Sequence, residues 1–436
     1  MLKDIISVKE EFLERREYIL YNTKENKQKA ILASVDTGVF DAENSMCELE
    51  ELAKTAGAEA VAQIVQKMPK VNSGTYFGEG KLSEIQKAAR LLDAELLIVD
   101  DELSGVQLRN IEERTGLDVI DRTMLILDIF AQHARSNEGK VQVELAQQKY
   151  LLPRLSGIGK RLSRQGGGIG TRGPGETKLE SDRRHIRRRI ETLSQELTLL
   201  SKRREDRRQR RKKNKIPLFA LVGYTNAGKS TLLNALTGAN AYTKNQLFAT
   251  LDPMARELIL PSGQKVILVD TVGLLRRLPH QLISAFESTL EEAVQADYIL
   301  HVCDLSNPDT AEQKQVAENL LYSIGGADIP TVTVYNKCDL VPPAMRPRAA
   351  KGVVCVSAKT GEGMDLLLAQ METFLSERMI LLDLMLPYSE GALLSAIRQN
   401  GQIHSLVYTD FGTQISASVP RAMTARLSPY LKKELL

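Results

Sequence analysis

The chain has 436 residues, of which 43% are hydrophobic and 26% charged, and its formal net charge is only +3. That length is too great for one ordinary domain, and the composition is that of a globular protein, not a disordered or fibrous one. No run of about 18 apolar residues occurs, which excludes a membrane-spanning helix, and Met1-Leu2-Lys3-Asp4 opens no secretion signal.

Residues 1–25 are charged and helix-like. Ala30–Val35 reads as a strand, followed by a helix near 45–56, a strand at Ala60–Val65 and a helix over 81–92. Leu96–Val99 is a short buried strand, and a helix near 104–115 leads to the strand Leu117–Ile120. Strands alternating with helices predict a parallel α/β unit. Within it, Gly74-Thr75-Tyr76-Phe77-Gly78-Glu79-Gly80-Lys81 is a glycine-rich turn ending in lysine at a helix start. It could hold an anion, but a plain strand-to-helix connection is the reading preferred.

Residues 122–152 look helical throughout. From Gly157 to Glu176 glycines alternate with basic residues, which predicts a mobile loop. Lys178 to Lys215 carries sixteen Lys/Arg against six Asp/Glu, an excess of ten. Ile186, Ile190, Leu193, Leu197 and Leu200 form a coiled-coil-like stripe. Two antiparallel helices are expected, the partner stripe being Val141, Leu145 and Tyr150 of 137–152. Such a basic arm favours a polyanion, with RNA the leading candidate, over a merely solvated helix face.

Residues 216–375 alternate strands (216–222, 265–269, 298–303, 331–336 and 353–357) with helices, a doubly wound pattern. Gly223-Tyr224-Thr225-Asn226-Ala227-Gly228-Lys229-Ser230 fits the phosphate-loop pattern, between an apolar strand and a helix that continues with Thr231. Its backbone N–H groups would cradle phosphates at the helix N-terminus. Lys229 would reach the outer phosphates, and the Ser230 hydroxyl would ligate Mg²⁺. Asp270-Thr271-Val272-Gly273 follows a strand, so Asp270 can hold Mg²⁺ through water and Gly273 can offer its N–H to a γ-phosphate. In Phe248-Ala249-Thr250-Leu251-Asp252, Thr250 is the candidate that closes on Mg²⁺ and γ-phosphate. Lys229, Thr250 and Gly273 are thus the candidate catalytic residues, and Ser230, Thr250 and Asp270 the candidate metal ligands.

Asn336-Lys337-Cys338-Asp339 is the N-K-x-D pattern of guanine-binding proteins. The Asp339 carboxylate can accept two bonds from guanine that adenine cannot give, a discrimination of about 10⁴. Ser357-Ala358-Lys359 can place a backbone N–H on the guanine oxygen. Directly after Gly273, where Ras-type GTPases carry a water-orienting Gln, stands Leu274. Hydrolysis is therefore expected to be slow until a partner acts. Arg276, Arg277 and His280 read as surface polarity near the switch.

After Glu377 a small α+β unit remains: a strand at 380–386, a helix over 389–400, and a hairpin of 404–408 with 413–419. The expected division is an N-terminal parallel α/β domain at 1–121, a helical arm with a glycine-rich basic loop at 122–215, a G domain at 216–375 and a small C-terminal domain at 376–436. Cys47, Cys303, Cys338 and Cys355 have no CxxC pairing. They predict free thiols in a reducing cytoplasm and no metal site.

The chain resembles the HflX family of translation-associated GTPases. The residues that carry the resemblance are 223–230, 248–252, Asp270–Gly273 with Leu278-Pro279-His280, and, outside the G domain, 139–146, 150–155 and 172–177. The resemblance implies GTP hydrolysis to GDP with Mg²⁺, binding to the large ribosomal subunit and its rRNA, and splitting or rescue of stalled ribosomes under stress. It also implies an N-terminal domain and arm directed at the peptidyl-transferase region. A monomer is expected. Two alternatives stay open: a nucleotide-gated protein-binding switch without an RNA role, and an RNA-remodelling ATPase using 74–81.

Overall fold

The computed structural model describes residues 27–155, 174–214, 216–238, 248, 254–277, 291–348, 350–376, 379–420 and 423–432. The first unit contains β1 (Gln28–Asp36), α1 (Ala42–Ala56), β2 (Ala58–Lys67), α2 (Glu79–Leu92), β3 (Leu96–Val99), α3 (Gly105–Thr115) and β4 (Asp118–Asp121). Its strands form a parallel sheet in the order β2-β1-β3-β4. All four residues of β3 are buried, as its uninterrupted apolar sequence requires. Local chemistry sets the helix ends. Asp41 accepts the amides of Glu43 and Asn44 at the start of α1, and Ser104 with Gln107 makes a capping box on α3.

The stretch read as one helix over 122–152 is two: α4 (Arg122–His133) and α5 (Asn137–Leu151). Asp121 caps α4, Ala134 turns extended, and the Ser136 hydroxyl accepts the Gly139 amide to start α5. The polar run 132–140 interrupts the apolar pattern at this break, and its Ser136 is a favoured cap residue. α6 runs from Pro174 to Asn214. Pro174-Gly175-Glu176, assigned to a loop from sequence, belongs to its first turn. The rest of the expected loop, 156–173, lies outside the described residues, as do 1–26.

α5 and α6 pack through Val141, Leu145 and Leu193, flanked by Ile190 and Leu197. Arg189 holds Glu144 with two bonds of 2.7 Å. Tyr150 is not part of this seam. It turns into the core under the N-terminal sheet, beside Phe130 and Leu125.

The nucleotide unit holds β5 (Leu218–Gly223), α7 (Lys229–Thr237), β6 (Met254–Ile259), β7 (Lys265–Asp270), β8 (Tyr298–Asp304), α8 (Thr310–Ser323), β9 (Thr331–Asn336), β10 (Val353–Cys355) and α9 (Met364–Ser376). The sheet order is β10-β9-β8-β5-β7-β6. β6, not anticipated from sequence, is the one antiparallel strand, paired to β7 at the edge. Its mostly exposed alternation explains why it does not read as core. The last unit is an antiparallel sheet, β11 (Met379–Leu386), β13 (Gly412–Pro420) and β12 (Gln402–Thr409), backed by α10 (Gly391–Asn400).

One apolar cluster joins the first two units. It runs from Leu49 and Phe130 to Val222, Tyr224, Phe248, Leu274 and Leu275, and Phe130 meets Phe248 edge to face at 4.6 Å. No described helix is long and apolar enough to cross a membrane.

Replacing Leu193, 1% exposed, by Ala should loosen the α5–α6 pair by about 2–5 kcal/mol. Amide exchange over 137–151 and 186–200 should speed up while GDP affinity stays unchanged. Unaltered exchange there would contradict this packing.

Candidate nucleotide site

β5 is buried along its whole length and delivers the chain to the loop Gly223–Ser230. α7 starts at Lys229 with Gly228 as its N-cap and no side chain on its first amides, so they face the mouth of the loop. Gly228 has φ +88°, and a Cβ there would lie 2.3 Å from Asn336 Nδ2. Only glycine allows that approach. Asn336 Nδ2 donates to the Ala227 carbonyl at 2.9 Å, so the N-K-x-D strand end is fastened to the phosphate loop.

Lys229 Nζ donates to the Gly223 and Tyr224 carbonyls at 3.0 and 2.8 Å. Burial pushes its pKa down to about 8, against the pull of Asp270. The Ser230 hydroxyl donates to Asp270 Oδ2 at 2.6 Å, and Asp270 is fully buried. A hydroxyl and a carboxylate at this separation are hard oxygen donors of the kind Mg²⁺ takes.

The segment after Asp270 lies directly on the loop. Leu274 donates its N–H to the Gly223 carbonyl at 3.1 Å and accepts the Thr225 amide at 2.8 Å, a short parallel bridge. Gly273 is so close that a Cβ would sit 2.8 Å from Thr225 Cα. The Leu274 side chain is buried in the joint core. It is an apolar anchor, which supplies a packing reason for the residue that replaces the expected Gln.

At the guanine end, Asn336 Oδ1 accepts the Ala358 amide at 3.0 Å, and Lys337 pairs with Asp304 at 2.7 Å. The Cys338 amide donates to Val356. Asp339 and Lys359 are exposed at the rim, and Ser357 is buried and accepts the Thr360 amide. N-K-x-D and S-A-K thus form one unit. Burial pushes the Cys338 thiol up to about 11, so it stays protonated.

Two groups from the sequence reading fall elsewhere. Phe248 is buried against Phe130, and its side chain belongs to the joint core. Ala249, Thr250, Leu251, Asp252 and His280 lie outside the described residues. The glycine-rich turn at 74–81 satisfies its own polar groups. The Gly74 and Thr75 amides bond Asn72 Oδ1, the Tyr76 amide bonds the Asn72 carbonyl, and the Gly78 amide bonds Gln66. Those amides are not aimed at an anion.

Sequence reasoning missed a charged network at the loop. Tyr224 donates its hydroxyl to Glu48 of α1, and the Arg276 amide donates to the same hydroxyl at 2.7 Å. Glu48 also pairs with Arg122, whose guanidinium holds Asp100 at 2.7 Å and the Arg276 carbonyl at 3.1 Å. Arg277, at φ +49°, reaches the Asp100 carbonyl and Asp101 and lies over the Phe40 ring. Burial and the Glu48 carboxylate push the Tyr224 phenol up. Burial opposes the Arg122 charge, but Glu48 and Asp100 raise its pKa overall. Single residues scattered between Glu48 and Arg277 give no periodic or motif signal, so none was available.

Three family models match in succession: GTP-binding GTPase N-terminal over residues 43–131, GTP-binding GTPase Middle Region over 133–211, and 50S ribosome-binding GTPase over 218–337. A GTPase HflX from Caldanaerobacter subterraneus subsp. tengcongensis is 48% identical over 406 residues, spanning 93% of this chain and 94% of its own. The chain belongs to the HflX family. A second HflX, from Lacrimispora saccharolytica, is 48% identical over 94% of this chain and 97% of its own. The HflX of Escherichia coli is 44% identical over 81% of this chain and 84% of its own. The resemblance read from the motifs is borne out.

Two outcomes follow from this geometry. Asp339→Asn should weaken GDP binding and admit xanthine nucleotides, whose ring oxygen accepts from an amide; competition against a fluorescent GDP measures both. ATP displacing that probe from the wild-type chain as well as GTP does would contradict the base assignment. A bound phosphate favours the Lys229 ammonium, so GDP binding should take up a proton above pH about 8 and none well below it. Calorimetry in buffers of different ionisation heat counts the proton, and heats independent of buffer above that pH would overturn the assignment.

Proposed function

We propose that the chain is a Mg²⁺-dependent GTPase that binds the large ribosomal subunit and its rRNA and splits or rescues stalled ribosomes. The loop amides from Gly223 to Ser230, with Thr231 in the first turn of the helix behind them, cradle the phosphates, and Lys229 neutralises the outer ones. Ser230 and Asp270, joined by Thr250, would hold Mg²⁺, which supplies charge neutralisation on the β- and γ-phosphate oxygens. Thr271 bonds the Leu221 carbonyl and Val272 packs in the core, so Gly273 is held where its N–H can serve a γ-phosphate. Asn336, Asp339 and Ala358 read the guanine, with Lys337 and Lys359 flanking it. Leu274 cannot orient water, so turnover by the free chain is slow.

The observation that carries the ribosomal reading is a row of exposed arginines on α6, Arg184, Arg187 and Arg188. Their neighbour Arg189 is engaged with Glu144, so the row faces outward from a braced helix. Arg204 ties the same helix to Glu138 of α5 at 2.9 Å and to Glu291 of the nucleotide unit at 3.3 Å. A match to a family described as 50S ribosome-binding GTPase supports the same partner. The chain is divided so that the N-terminal sheet and arm, 1–215, meet the ribosome, and 216–375 turns over GTP.

Large subunits should stimulate GTP hydrolysis, and the stimulation should fall steeply with salt as phosphate-bound counterions are released. Reversing Arg184, Arg187 and Arg188 to Glu should abolish the stimulation and leave GDP affinity intact. Stimulation that survives the reversal at high salt would favour a protein-binding switch without an RNA role.

A further inference from the structure

The carboxyl ends of the N-terminal strands face the phosphate loop. Asp100 follows β3, Arg122 follows β4, and Glu48 stands on α1 beside them. In open parallel sheets this edge is where a ligand is held. Here it holds pieces of the nucleotide site. Three segments of the nucleotide unit touch the residues beside it: Tyr224 of the phosphate loop through Glu48, Phe248 through Phe130, and the Asp270–Arg277 segment through Arg122, Asp100 and Asp101.

The contacts bias that last segment toward one arrangement. Leu274 occupies the Thr225 amide and the Gly223 carbonyl, groups at the mouth of the loop. The next residues are pinned from the other side. The Arg276 amide bonds Tyr224, its carbonyl bonds Arg122, and its side chain spans Asp309 and Glu312 at 3.0 Å each. Arg277 is kept in a left-handed conformation that a non-glycine residue adopts only when its surroundings impose it. While the Leu274 carbonyl holds the Thr225 amide, that loop amide is not offered to a γ-phosphate seated between Gly273 and the loop. A network that stabilises this bond therefore opposes GTP more than GDP.

We infer that Glu48 and Arg122 of the N-terminal unit are positioning residues of the GTPase site: through Tyr224 and Arg276 they hold the Gly273–Arg277 segment against the phosphate loop, and they set the preference between GDP and GTP. By linkage, the γ-phosphate must loosen the same contacts, so the nucleotide state is reported to the N-terminal unit. Neither residue touches the nucleotide. The inference rests on the GTPase reading, and its test separates the two.

The test is the ratio of affinities of the full-length chain for a fluorescent GDP and a fluorescent non-hydrolysable GTP analogue. Tyr224→Phe keeps the ring in the core and removes only the hydroxyl; Glu48→Gln keeps the shape and removes the charge. Each should shift the ratio toward the analogue by about five-fold or more, with a lower KM for GTP and a smaller change in kcat. The double variant should fall short of the product of the two single effects, because both changes weaken the Tyr224–Glu48 contact. Arg122→Lys should shift the ratio less than Arg122→Met. If either arginine variant fails to fold, Tyr224→Phe and Glu48→Gln decide alone. A ratio within about twofold of wild type in both, or effects that multiply in the double variant, would overturn the inference. Loss of GDP binding by the wild-type chain would instead sink the GTPase reading.

Discussion

The arrangement of the first two units depends on one buried guanidinium. Arg122 is 2% exposed, and Asp100 beside it is fully buried. Leaving such a charge without partners costs several kcal/mol, and removing one partner of a buried pair typically costs about 3–5 kcal/mol. The N-terminal unit supplies Glu48 and Asp100, but the second oxygen of Glu48 goes to Tyr224 and a nitrogen of Arg122 goes to the Arg276 carbonyl. The network is completed only with the nucleotide unit in place. Apolar contact alone, through Phe130, Phe248 and Leu275, would tolerate sliding; the directional bonds fix the register.

That constraint explains features of the nucleotide site that its motifs leave unexplained. Tyr224 sits at a loop position whose side chain does no phosphate chemistry, yet it is buried and bonded on both sides of its hydroxyl. Leu274 stands where a polar residue would orient water, and it is buried in the core that joins the units. Arg276 and Arg277 look like ordinary surface charge, and each is held by two or more partners. The guanine end is organised separately. Asn336 is the hinge between loop and base site, bonding Ala227 with its amide nitrogen and receiving Ala358 on its oxygen. The ends of the site therefore answer to different neighbours, the phosphates to the N-terminal unit and the base to β9 and β10.

The phosphate-loop, D-x-x-G and N-K-x-D motifs were legible because each stands at the end of a buried strand, where local pattern and chemistry coincide. Ser230 and Asp270, named separately as candidate metal ligands, lie within hydrogen-bond distance. The parallel N-terminal sheet was legible for the same reason, since Leu96–Val99 can only be interior. Three things were missed. The break at Ala134–Ser136 lies in the polar run 132–140, which the sequence reading passed over, and is set by a serine cap. β6 alternates too weakly to declare itself. The Glu48–Tyr224–Arg122–Arg276 network joins residues far apart in the chain, and no local rule links them. The stripe of α6 was read correctly at Leu193, whereas Tyr150 was placed on the wrong face because a tyrosine suits either the arm or the core.

The most direct test of the account reads the bonds themselves. Amide-resolved hydrogen exchange of the wild-type chain, with GDP and with a non-hydrolysable GTP analogue, reports the N–H groups of Thr225, Leu274 and Arg276. The account predicts slow exchange of all three with GDP. With the analogue it predicts faster exchange of Leu274 and Arg276, while Val269 inside β7 stays unchanged in both states. Equal protection of Leu274 and Arg276 in the two nucleotide states would contradict it.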